Sequence, residues 1–167
     1  ADAVPGWFQA AVTLYDAQGR ELAYDDDYRF HPDPVLHYRV PQDGDYLIEI
    51  KDAIYRGRED FVYRIMVGEL PFVTSIFPLG CRAGEQASIE LNGWNLPSRT
   101  LTMDAKDKKP GTYPISVRAR NLVSNQMPFV VDTLPECLEK EPNNELKSAQ
   151  RVTLPIIVNG RIDPPGE

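Results

Sequence analysis

Histidine and cysteine are scarce: the 167 residues hold two of each, His31 and His37, Cys81 and Cys137. Nucleophilic catalysis by Ser or Cys needs a base held within hydrogen-bond reach. Two histidines and no nucleophile-elbow or zinc-helix pattern leave nothing to build such a site from, so no enzyme active site is expected. Long apolar runs are missing too, and none approaches the roughly 18 residues that span a bilayer. Basic residues are outnumbered, 18 against 25 acidic, for a net charge of −7. That balance argues against a nucleic-acid backbone as partner. Helical periodicity is nearly absent, and only the short stretch Glu141–Arg151 reads as helical.

What remains is alternation. Hydrophobic residues make up 42% of the chain and aromatics 10%, an ordinary globular composition. In residues 7–15 Phe8, Ala10, Val12 and Leu14 share one face, the period-2 pattern of a half-buried strand. Asp16-Ala-Gln-Gly19 turns the chain, and Glu21–Tyr24 returns it into the acidic run Asp25-Asp26-Asp27. Further strands are expected at Leu36/Tyr38/Val40, Tyr46/Ile48/Ile50 and Phe61/Tyr63/Ile65/Val67. Between the last two lies a long hairpin tip, Asp52 to Asp60. Five successive strands describe an antiparallel sheet, half of a sandwich. The acidic excess sits here: residues 1–70 carry 14 acidic against 7 basic side chains.

Leu70-Pro71 marks a boundary, since proline cannot donate to a continuing ladder. A second β unit follows, with strands expected at Val73/Ser75/Phe77, Ala87/Ile89/Leu91, Tyr113/Ile115/Val117/Ala119 and Met127–Val131. Asn92-Gly93 reads as a turn and Lys106–Gly111 as a charged loop tip. The tail resumes with two acids, a proline and an Asn pair, then a strand-like run, Val152–Val158. The expected fold is therefore all-β, two small antiparallel sandwich units of jelly-roll or immunoglobulin-like type with short linkers. Their bounds are 1–70 and 71–133, with 134–167 as a linker and the first strand of a following domain.

Several residues are candidates for chemistry or contact. Cys81 and Cys137 either close a disulfide, worth about 4 kcal/mol in the chain-entropy model, or are two unrelated buried thiols. Asp25, Asp26 and Asp27 could gather a metal, or form a solvated acidic turn. Tyr55, Arg56 and Arg58 at the hairpin tip, with Trp7 and Trp94, have the amphipathic character of interface anchors.

Three stretches resemble known families. Leu14-Tyr-Asp-Ala-Gln-Gly-Arg-Glu-Leu-Ala23, Asp26-Asp27 and Val40–Ile50 resemble the back half of a bacterial pre-peptidase C-terminal domain, a β-sandwich appended to exported proteases and other large exported proteins. Residues 73–131, with Ile76-Phe-Pro-Leu-Gly80 and Ile89-Glu-Leu-Asn-Gly-Trp-Asn-Leu96, resemble an IPT/TIG immunoglobulin-like module. The tail, Glu139-Lys-Glu-Pro-Asn-Asn144 through Val158-Asn-Gly-Arg-Ile162 and Pro165-Gly166, resembles the front of a second pre-peptidase C-terminal domain.

The resemblance implies a non-catalytic accessory array, extracytoplasmic and working beside other domains of the same polypeptide, as a spacer or as a binder of collagen-like protein or polysaccharide. It further implies Ca²⁺ at an acidic linker, matching Glu139, Glu141, Asn143 and Asn144, with Asp163 as the nearest candidate for the family's completing aspartates. The first unit, lacking its own front strands on this reading, would leave an apolar sheet face open to dimerisation.

Overall fold

A computed structural model describes residues 8–29 and 31–162. The described chain is all-β, built from thirteen strands with no helix among them. It forms two compact units, divided between Met66 and Val67.

The first unit is one antiparallel sheet. β1 (Ala10–Asp16) lies at its centre, with β2 (Glu21–Asp25) on one side and β3 (Tyr46–Asp52) on the other. The β1–β2 turn is set by Asp16, whose carboxylate accepts from the backbone N–H groups of Gln18 and Arg20. Gly19 takes the positive φ of +78° that the turn needs. The buried face of β1 differs from the expected one. Ala11, Thr13 and Leu14 are buried, whereas Ala10 and Val12 are half-buried.

Two of the five expected strands do not form. Residues 36–40 and 61–67 run without ladder partners among the described residues, although their composition suits a strand. The outer edges of β2 and β3 stay unpaired among the described residues. Val62, Tyr63, Met66 and Val67 are exposed, Val62 by 81%.

The second unit holds the larger core. One sheet runs β4 (Phe72–Phe77), β6 (Gln86–Trp94), β7 (Thr100–Asp104); the other runs β5 (Gly80–Arg82), β11 (Met127–Asp132), β8 (Gly111–Ile115). The core cluster draws on both sheets, Val73, Ile76, Ile89 and Leu91 from the first and Cys81, Ile115, Phe129 and Val131 from the second. β5 pairs with β11 in parallel, an exception in a mostly antiparallel unit.

Several boundaries depart from the alternation. Asn92-Gly93 is no turn: it lies inside β6, facing an irregularity between Val73 and Ser75 of β4. Gly93 is required there, since its φ is +154° and a Cβ would collide with the Phe72 carbonyl. The long strand expected over 113–119 breaks after Ile115, and β9 (Arg118–Ala119) turns back on β10 (Leu122–Val123) as a separate small hairpin. Ser124 and Asn125 repair that break. Ser124 Oγ accepts from Val117 N at 2.9 Å and donates to Asn125 O. The Asn125 amide accepts from Val73 N at 2.7 Å and donates to Val73 O at 2.9 Å, as a neighbouring strand would.

The tail belongs to the same compact unit. β12 (Glu136–Leu138) pairs in parallel with β13 (Ile157–Asn159). The stretch 141–151, expected to be helical, holds only a turn at 145–148, with Ser148 bonded to Glu145.

Phe129 is fully buried at the centre of this core. Phe129→Ala should cost about 3–5 kcal/mol, transfer loss plus cavity. A chemical-denaturation midpoint for the second unit, followed by Trp94 fluorescence, measures it directly.

Candidate functional site

The sequence marks out four groups of residues, and the structure treats each differently. The linker group is brought together. Asn143 Nδ2 donates to Glu139 Oε1 at 2.9 Å and Asn143 N donates to Glu141 Oε2 at 2.9 Å, so one residue bridges two carboxylates. Asn144 lies beside them in the chain, and Asp163 lies outside the described residues. An open groove of about 290 Å³ runs along this loop, lined by Glu139, Asn143, Ala149, Gln150, Val152 and Val158.

A calcium ion needs six to eight oxygens at 2.3–2.6 Å. Both Glu139 oxygens accept from N–H donors, Oε1 from Asn143 Nδ2 and Oε2 from Arg161 N at 3.1 Å. Among the described residues no three His, Cys, Asp or Glu side chains gather to hold a metal.

Asp25, Asp26 and Asp27 do not converge either. Asp25 Oδ2 accepts from Val35 N at 2.6 Å and anchors the 26–35 loop to β2. Burial pushes its carboxyl up, with the charges of Asp26 and Asp27 adding to the rise and the Val35 bond opposing it. Asp26 turns to the Tyr24 hydroxyl, which donates to it at 3.1 Å.

At the hairpin tip the arginines are committed. Arg56 folds back four residues to Asp52: its Nε and Nη2 donate to the two carboxylate oxygens at 3.2 Å each, and its backbone N–H donates at 2.8 Å. Asp52 also accepts from Gln9 N at 3.1 Å, tying the start of β1 to the end of β3. Arg58 pairs with Asp60 through two bonds. Tyr55 alone projects, 80% exposed at a φ of +56°, with Lys51 Nζ 5.9 Å from its ring centroid. Trp94 is half-buried and stacks on Phe72 with centroids 5.4 Å apart. Trp7 lies outside the described residues.

The cysteines are free thiols: Cys81 is buried in the core and Cys137 half-buried on β12. Burial pushes the Cys81 thiol up, and the negative charges of Glu136 and Glu85 add to that.

Alternation gives no sign of Asn159, a buried polar side chain of the tail. Its Oδ1 accepts from Leu79 N at 3.0 Å and its Nδ2 donates to Glu136 Oε2 at 2.8 Å. Gln150 is similar, accepting from Lys140 N and donating to Leu138 O and Cys137 Sγ. Comparison of the chain with family models, with curated proteins and with solved structures finds no match.

The Asp52 carboxyl is held below its ordinary value of 3.8, chiefly by the Arg56 side chain and against the effect of burial. A lowered folded-state value means the stabilisation is full above the unfolded value and lost as pH falls through the folded one. The amides of Gln9 and Arg56 should titrate together in NMR spectra with a midpoint below 3.8. Asp25 in the same unit runs the other way, its contribution falling as pH rises through its elevated value. Asp52→Asn should therefore lower stability at neutral pH and shrink the acid limb, leaving the part that Asp16 and Glu49, also held low, contribute.

Proposed function

We propose that this chain is a non-catalytic accessory region of an exported bacterial protein, acting as a structural spacer. The observation that carries the reading is the commitment of its polar groups. Glu139, Glu141, Asn143, Asp25, Asp26, Arg56 and Arg58 each bond within their own unit, so none of these groups converges on an enclosed cavity. Catalytic pockets do the reverse and aim unpaired polar groups into concave space. The resemblance to a pre-peptidase C-terminal array with an IPT/TIG-like module supports the same reading, as does the all-β architecture. On this reading the chain lies outside the cytoplasm, in series with other domains of a secreted peptidase or another hydrolase. An uncovered apolar sheet face of the first unit is where copies would associate.

A second reading, an adhesive module for collagen-like protein or polysaccharide, is favoured by one feature. Tyr55 presents an amphipathic ring beside Lys51, at a tip braced by Asp52. Sugar rings and proline-rich chains both stack on such faces.

Titration with triple-helical peptides and with soluble polysaccharides separates the two. The spacer reading expects no saturable binding and no hydrolysis of either. Saturable binding that Tyr55→Ala abolishes would replace it with the adhesive one.

A further inference from the structure

The geometry points to Glu139 as a hydrogen-bonded latch that closes the tail onto the β4–β6 sheet. β12 and β13 form a short parallel ladder whose last backbone bond runs from Glu139 N to Asn159 O at 2.8 Å. The next donor along β13 is Arg161 N. In a continuing parallel ladder it would go to a backbone carbonyl of β12. Here the chain turns away towards Pro142, and Glu139 Oε2 takes that donor instead, at 3.1 Å. The side chain thus ends the ladder that its own backbone leaves. Gly160 makes room for it, since a Cβ there would collide with the Glu139 carboxylate.

The other carboxylate oxygen is held from the opposite direction. Asn143 Nδ2 donates to Oε1, and Asn143 N is fixed by Glu141. Glu139 therefore joins the loop 140–143 to the strand end at 160–161. What it fixes in turn is the position of Arg161. That guanidinium stacks on Phe77, 3.9 Å from the ring centroid, and pairs with Glu90. Phe77 and Glu90 are directly opposite each other on β4 and β6, so Arg161 lies across that pair. The sequence of contacts runs from Asn143 through Glu139 to Arg161 and the sheet.

A metal-binding linker would need the reverse polarity. Donor N–H groups occupy the carboxylate where a cation would sit, and Asn143 presents its NH₂ rather than its carbonyl oxygen. Turned over, the Asn143 oxygen would face Glu139 Oε1, an arrangement that repels unless a cation lies between. The latch and the calcium site are thus two orientations of one amide. The latch stands independently of the spacer reading, because it concerns bonds within the chain.

Two NMR signals read it in the full chain: the Asn143 side-chain NH₂ and the Arg161 backbone N–H, recorded in millimolar Ca²⁺ and in EGTA. The latch predicts the same positions in both. Glu139→Gln should speed Arg161 amide exchange about tenfold, the loss of one charge-assisted bond, equally with and without calcium. Asn143→Leu, which removes one arm at a half-buried loop position, serves if that variant does not fold; it should speed Arg161 exchange by a smaller factor. A calcium-dependent shift of the Asn143 NH₂, with a melting-temperature rise that Glu139→Gln abolishes, would overturn the inference. Unchanged Arg161 exchange in whichever variant folds would overturn it too.

Discussion

Asn159 sits between a backbone N–H and a side-chain carboxylate that both need a partner. Leu79 N lies between β4 and β5 with no strand opposite it, and Glu136 brings a half-buried carboxylate to the same place. The buried amide answers both, accepting from one and donating to the other. A buried backbone N–H left unpaired costs as much as a lost hydrogen bond. Without Asn159 both the Leu79 N–H and the Glu136 carboxylate would lose their partner. Burial already pushes the Glu136 carboxyl up, and the bond from Asn159 is what opposes that rise. Asn159 ties the tail to the β4–β5 turn, beside the contacts that Arg161 makes with Phe77 and Glu90.

The same solution recurs at other ladder ends. Asn125 pairs with Val73 through both its amide groups beside the irregularity in β4, and Ser124 takes the Val117 N–H after β8 has ended. Gln150 serves Lys140 and Leu138 across the tail loop. Short strands need such help, because each end leaves donors and acceptors that a longer ladder would have used. With strands of two or three residues at β5, β9, β10, β12 and β13, ends are frequent. Short amide and hydroxyl side chains are suited to the role, since they imitate a peptide group at the reach of one residue.

This division explains what the sequence could reveal. Strands with one buried face declare themselves by alternation, and β6, with Ile89 and Leu91 inward, is plain in the residues. Alternation records side-chain burial alone, so it cannot say whether a backbone partner exists. Residues 61–67 carry a strand's pattern and form no ladder, while Glu136–Leu138 carry almost none and do. The Asn-Gly at 92–93 looks like a turn because glycine relieves the backbone there; the relief is used for close approach to Phe72 instead. The linker acids were legible as a group, and their partners were not. Arg161, twenty-two residues away, reaches Glu139 only through the parallel register of β12 and β13.

The two units differ in what holds them. The second closes two sheets over Phe129, Ile89 and Leu91, all essentially solvent-free, and burial of that kind is worth about 1.5–3 kcal/mol per large side chain. Among the described residues of the first unit, burial is confined to Ala11, Thr13, Leu14 and Asp52. So small an apolar contribution cannot be what fixes the ends of its sheet. Asp52 does that work, joining Gln9, Arg56 and the hairpin tip through a single carboxylate at the end of β3. A three-stranded sheet ordinarily needs a covered hydrophobic face to stand alone. Here a charge-assisted network takes on more of that task, and its strength depends on Asp52 remaining ionised. The ends of the first unit's sheet are thus tied to the charge on Asp52, while the second unit rests chiefly on its packed core.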